Sequence, residues 1–287
     1  MTEHSDFTRR MIAVPDGEVA VLDFGDPGRP VDIIFSIGNG FNALCHRQAL
    51  APLADRMRII AVDQRGHGLT RLPIHPEGRR DWRDLSRDLA VLMEALRLDR
   101  PVILAGHSMG GTISLMTAET LGGAVKSVIA IDPVLGSRPE KPEAFPPHLQ
   151  NLIAGTLRRR TTYDSRAAAF AAYKGRGVFA TWPDEVLSDY IEDGMRDTAD
   201  GVTLTCSPAW EASNYAAQGQ DGRAILLAAA LPVQVLKAQI ASTCNVSVEE
   251  AAANPNLRID LVEGATHCLP MERPDLVQQA VLDAVAG

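Results

Sequence analysis

The stretch "PVILAGHSMGGTISLMTAET", residues 101–120, decides how the chain is read. An apolar run at 101–106 breaks at a cluster of glycines and is followed by a segment with helical patterning. A strand that passes at once into a helix is the simplest reading of that switch. Between the two stands Ser108, with Gly106 before it and Gly110 and Gly111 after it. Glycine is the residue most costly to order, so its density here requires a steric reason. A serine raised on a sharp strand-to-helix turn supplies one, because any side chain two positions away would collide with the neighbouring strand or helix. Such a turn exposes the hydroxyl at the carboxyl end of a sheet. It also aims the N–H of Met109, at the start of the helix, toward the same space.

Working outward, further short apolar runs read as buried strands: "VDIIFSI" at 31–37, "RIIAVD" at 58–63, "VKSVIAID" at 125–132, "LPVQVLKA" at 231–238 and "LRIDLVEG" at 257–264. An earlier one, "EVAVLDF" at 18–24, is a candidate antiparallel strand. Helical spacing marks 83–98 and 273–287, the latter with Pro274 in its first turn. Strands alternating with helices predict an α/β fold with a mostly parallel central sheet flanked by helices. The alternation breaks at the proline-rich "SRPEKPEAFPPH", 137–148. From there to about residue 225 no strand series is evident, and short helices are expected in "LQNLIAGTLRRR", "SRAAAFAAYKG" and "PDEVLSDYIEDG". The predicted organisation is a core from 1–137 and 226–287 with a helical insert, 138–225, between two strands. Tyr163, Tyr173, Tyr190, Tyr215, Trp182 and Trp210 all fall in the insert. They serve to hold it together, and some of them to wall a small-molecule pocket.

Composition bounds the partners. In 287 residues, 46% are hydrophobic and 22% charged, with a formal net charge of -8. This acidity argues against a general affinity for nucleic acid or anionic membranes. The compact basic run at 158–160 reads as a solvated helix face. No apolar run reaches the ~20 residues of a membrane span, and the N-terminal residues lack the pattern of a secretory leader. A cytoplasmic protein acting on a small molecule is expected; length and charge set no oligomeric state. The four cysteines, Cys45, Cys206, Cys244 and Cys268, have neither zinc-site nor disulfide-framework spacing.

"GHSMGG" at 106–111, "DQRGHG" at 63–68 and "GATHCLPMERPDLV" at 264–277 together resemble the α/β-hydrolase superfamily, in matching order. The resemblance covers 18–137 and 226–287, and the insert corresponds to that family's variable cap. It implies a serine hydrolase that cleaves a carboxylic ester or related acyl bond of a small, largely apolar substrate. Such chemistry requires neither a metal nor an organic cofactor. A serine hydroxyl is a poor nucleophile at neutral pH and needs a base that an acid orients. His267, after the last strand, is the candidate base. The family's usual acid position, after the penultimate strand, is empty: 231–247 contains no carboxylate. Asp132 ends the strand after the one bearing Ser108, an edge some relatives use, and is the assigned acid. Glu249 or Glu250 is the rival, as is the absence of an acid. The oxyanion donors are assigned to the N–H groups of Met109 and Phe41, with Asn39 the rival of Phe41. Ile37-Gly38 stands where relatives carry a His. His107 is expected to point away from the serine and pack under the turn, His67 to close a tight loop, and Asp63 to anchor one. Two alternatives stay open. One is C–C bond hydrolysis or acyl transfer on the same three residues, and the other is a non-catalytic ligand-binding protein of this fold.

Overall fold

A computed structural model of the protein describes residues 6–136 and 145–287. The described strands are β1 (Phe7–Val14), β2 (Gly17–Phe24), β3 (Ile33–Ser36), β4 (Ile59–Val62), β5 (Val102–His107), β6 (Val125–Ile131), β7 (Thr162–Tyr163), β8 (Met195–Thr198), β9 (Gly201–Leu204), β10 (Val233–Ala238) and β11 (Leu257–Val262). The helices are α1 (Arg47–Leu50), α2 (Arg83–Ala95), α3 (Met109–Leu121), α4 (Pro147–Leu157), α5 (Arg166–Tyr173), α6 (Asp184–Gly194), α7 (Pro208–Ala216), α8 (Gly222–Leu227), α9 (Val248–Ala251), α10 (Leu269–Glu272) and α11 (Pro274–Ala286).

Eight strands form one sheet in the order β1-β2-β4-β3-β5-β6-β10-β11. β2 pairs antiparallel with both β1 and β4, and the pairs from β4 to β11 are parallel. The seven strands read from sequence all lie in this sheet, and its inner strands are continuous apolar runs because they are covered on both faces. β3, β4 and β5 are buried at every position. One face packs α2 and α3 through Leu89, Leu92 and Ile113. The other packs α1 and α11 through Phe35, Leu50, Val277 and Val281. Each such fully buried side chain contributes roughly 1.5–3 kcal/mol.

Two features differ from the sequence expectation. β1 is an edge strand whose residues are half or fully exposed, so Arg9 and Arg10 interrupt the apolar signal. In the insert, β7, β9 and β8 form a three-stranded antiparallel sheet where only helices were expected. These strands are two to four residues long and half polar, too short to show a period. The three expected helices are present as α4, α5 and α6. Most of the proline-rich segment at 137–148 lies outside the described residues.

The insert's own core joins Tyr163, Phe179, Trp182, Tyr190 and Ile191 to Phe41, Cys45, Cys268 and Met271 of the main body. This continuity places the insert over the carboxyl edge of the parallel strands. Among the described residues, no helix is long and apolar enough to cross a membrane.

Candidate active site

The elbow is built by backbone strain and close approach. Ser108 has φ 55° and ψ -119°, a conformation L residues rarely adopt and one that costs about 1–3 kcal/mol. The fold tolerates it because β5 and α3 meet almost without intervening atoms. A Cβ on Gly106 would lie 2.4 Å from the Gly110 carbonyl carbon, and one on Gly110 would lie 2.2 Å from the Ser36 carbonyl oxygen. Only glycine fits at either position. The Ser108 N–H is held by the Ile131 carbonyl at 2.9 Å, which ties the turn to the end of β6.

That register brings Asp132 alongside. His107 pairs with Ile131 across β5 and β6, so the residues that follow them leave the sheet at the same level. Asp132 also has a positive φ, 41°, and is fully buried. Its Oδ1 accepts from the Ala238 N–H at 3.0 Å and from the Ser242 hydroxyl. Its Oδ2 accepts from the Thr243 N–H at 3.0 Å and from His267 Nδ1 at 2.6 Å. Burial raises the carboxyl's pKa, but the hydrogen bond and charge of His267, with the Ser242 and Thr243 donors, outweigh it and bring it below the ordinary range. The loop after β10, where the sequence offers no acid, thus supplies the donors that hold an acid reaching it from β6. Sequence reading missed Ser242, Thr243 and the Ala238 amide. A Ser-Thr pair in the loop facing the assigned acid was the one available signal.

His267 completes the contact. Its Nε2 accepts from the Ser108 hydroxyl at 2.9 Å while Nδ1 donates to Asp132. The carboxylate thereby fixes the tautomer that leaves Nε2 free to take a proton. The loop is braced by Glu272, whose carboxylate accepts from the Thr266 N–H at 2.8 Å and the Thr266 hydroxyl at 2.6 Å. The structure therefore brings Ser108, His267 and Asp132 into one hydrogen-bonded chain. Glu249 and Glu250 lie elsewhere, in α9, where Glu250 caps the helix with Ser247 and pairs with Arg223.

At the candidate oxyanion position, Met109 is the first residue of α3, so its N–H has no acceptor within the helix. Phe41, the other assigned donor, lies in the loop after β3. Its N–H donates to the Gly38 carbonyl at 3.3 Å, closing the loop on itself. The Gly40 N–H donates to His67 Nε2 at 3.0 Å. Asn39 N–H has no backbone acceptor among the described residues. The His67 ring bridges Gly40 and the Arg65 carbonyl, and burial lowers its pKa to about 4, keeping it neutral. Asp63 accepts from the N–H groups of Ala43 and Leu69 at 2.7 and 2.9 Å, anchoring both loops.

Arg159 corrects the reading of 158–160 as a solvated face. It is only partly exposed, pairs with buried Glu211, and reaches the Tyr190 hydroxyl at 3.3 Å, whereas Arg158 and Arg160 are exposed. Glu211 in turn lies against Gly40. Among the described residues, no group of three or more His, Cys, Asp or Glu side chains has the arrangement of a metal site.

Comparison with known proteins follows the same outline. The 2-(acetamidomethylene)succinate hydrolase of Mesorhizobium japonicum is 25% identical over 270 residues, 92% of this chain and 91% of that protein. A crystal structure of E-2-(acetamidomethylene)succinate hydrolase superposes with a TM-score of 0.81 at 24% identity, covering 98% of this chain and 100% of the other. The monoglyceride lipase of Rattus norvegicus is 32% identical over 136 residues, 44% of this chain and 43% of the lipase. Each of these relatives is a hydrolase by name. The model of the alpha/beta hydrolase family matches residues 35–280, and the chain belongs to that family.

Proposed function

We propose that the protein is a serine hydrolase cleaving a carboxylic ester or related acyl bond of a small substrate through an acyl-enzyme. The observation that carries this reading is the unbroken relay from the Ser108 hydroxyl to His267 Nε2, and from His267 Nδ1 to Asp132 Oδ2, at 2.9 and 2.6 Å. In the first half-reaction Ser108 Oγ attacks the acyl carbon and His267 Nε2 takes its proton. His267 returns that proton to the leaving group as the bond breaks. Water then attacks the acyl-enzyme with His267 again as base, releasing the acid and restoring Ser108. Asp132 holds the ring and offsets its charge in both halves. The tetrahedral oxyanion is held by Met109 N–H and, we infer, by Asn39 N–H. This second assignment rests on the neighbouring Gly40 and Phe41 amides being already engaged. Each donor contributes roughly 2.7–4 kcal/mol in comparable sites.

The test is covalent labelling by a fluorophosphonate. Wild type reacts stoichiometrically, and Ser108→Ala does not react. Equal labelling of both proteins would overturn the reading.

A second reading, hydrolysis of an acyl bond other than an ester, has a specific support. The relative matched along nearly the whole chain is named for an acetamido-bearing dicarboxylate, whereas the lipase match spans less than half of it. Turnover of a nitrophenyl ester series, a 1,3-diketone and an acetamido dicarboxylate, compared by kcat/KM, separates the two.

A further inference from the structure

His107 sits beside Ser108 at the end of β5 and is fully buried, yet it takes no part in the relay described above. Its Nε2 lies 2.7 Å from the backbone carbonyl oxygen of His267. A carbonyl only accepts, so Nε2 carries the proton and donates it, leaving Nδ1 bare. That Nδ1 has no hydrogen-bond partner among the described residues. Burial, with lesser contributions from His267 and His46, holds the ring well below the ordinary imidazole range, so it stays neutral. Against its face lies the ring of Phe41, with centroids 5.7 Å apart and planes 6° from parallel. Gly38 makes room for this stack: a Cβ there would lie 2.9 Å from Phe41 Cδ2 and 3.2 Å from His107 Nδ1.

We propose that His107 is a positioning residue that joins the elbow, the His267 loop and the loop after β3, and thereby sets the distance between the Ser108 hydroxyl and the His267 ring. Among the described residues, only two hydrogen bonds link 106–111 to 264–268: Ser108 Oγ to His267 Nε2, and His107 Nε2 to the His267 carbonyl. The first must break and re-form as the proton moves. The second acts on the main chain of His267, which does not titrate, and so holds the base in place while the first is open. A displacement near 1 Å between reacting groups costs on the order of 100-fold in rate, which gives this tie its leverage. It also accounts for Gly38 and for the Phe41 side chain: the stack fixes the imidazole plane so that Nε2 aims at the carbonyl. Phe41 then acts through its ring rather than through its N–H.

The inference rests on the serine-hydrolase reading, and the experiment separates the two. Second-order rates of fluorophosphonate labelling and melting temperatures are measured for wild type, Ser108→Ala, His107→Gln and His107→Phe. The Gln amide nitrogen occupies nearly the position of imidazole Nε2 and can donate, whereas Phe keeps the ring without a donor. Labelling is expected to slow by about 10–100-fold in His107→Phe and to stay within about threefold of wild type in His107→Gln, with similar melting temperatures. If His107→Phe does not fold, His107→Met takes its place under the same criterion. A variant without the donor that labels within threefold of wild type overturns the inference alone. So does equal slowing in His107→Gln and His107→Phe, which would mark a packing role. Labelling that does not depend on Ser108 overturns both readings.

Discussion

Asp132 is the residue at which the sequence argument and the geometry are most tightly joined. An aspartate tolerates positive φ better than most residues, and at 41° its side chain turns toward the loop after β10 instead of continuing the strand. Donors from four residues then converge on two oxygens, which keeps the carboxyl ionised. Replacing it by Asn preserves the size but puts an NH2 where an acceptor is needed and unsettles the His267 tautomer. Asp132→Asn is therefore expected to lower kcat about 10⁴-fold on a nitrophenyl ester with little change in fold, as read by steady-state kinetics and circular dichroism. A kcat within tenfold of wild type would remove Asp132 from the proposed mechanism. Because its folded pKa lies below the unfolded value, the stability it confers is complete above about pH 4 and is lost as pH falls through the folded value. Asp132 stood out in the sequence because it ends a strand adjacent to the serine's strand. Its donors did not, since two of them are backbone N–H groups that any residue could supply.

At the scale of elements, legibility followed burial. The inner strands β3, β4 and β5 announced themselves because both faces are covered, and the elbow because its glycines answer a steric demand that composition alone does not explain. Gly110→Ala would drive a methyl group to 2.2 Å from the Ser36 carbonyl oxygen, a backbone atom of β3 with nowhere to move. The variant is expected to lose about 3 kcal/mol of stability or more, read as a lower urea midpoint, together with fluorophosphonate labelling. A midpoint unchanged within error would mean that α3 shifts freely against β3. Elements with one exposed face left weaker traces. β1, on the edge, carries Arg9 and Arg10 side by side within a half-exposed strand, and β8 and β9 form a hairpin of four-residue strands. For that hairpin, the Asp-Gly pair at 200–201 was the signal available in sequence. The loop after β3 was hard to read for a different reason. The sequence shows which residues the loop contains but not which amides it uses internally, such as the Phe41 N–H that donates to the Gly38 carbonyl.

Across the whole molecule, several buried ionisable groups combine into one measurable property. Burial lowers His46 to about 3 and His67 to about 4, and it holds His107 well below the ordinary range. Each of these rings binds a proton in the unfolded chain below about pH 6.5 and refuses it in the folded one. Stability from each is therefore full above that pH and falls as pH drops. Asp63 runs the other way. Burial and the nearby Asp193 raise it to about 6, so between about pH 6 and pH 4 the folded state holds a proton that the unfolded state has released. Proton uptake by the three rings in the unfolded chain outweighs the one proton held by Asp63 in the folded chain, so stability should fall as pH drops between about pH 5.5 and 4.5. His46 isolates one of the three. Both of its nitrogens are buried without a partner among the described residues, and its ring packs 4.8 Å from Phe35. His46→Phe keeps a ring at that position and removes the titration, so the fall of stability with pH should become shallower, with no loss of stability at pH 7. Urea midpoints at pH 7, 5.5 and 4.5 for the two proteins measure this directly. Parallel pH dependences would show that His46 is protonated in the folded state, which would require an acceptor or water beside it.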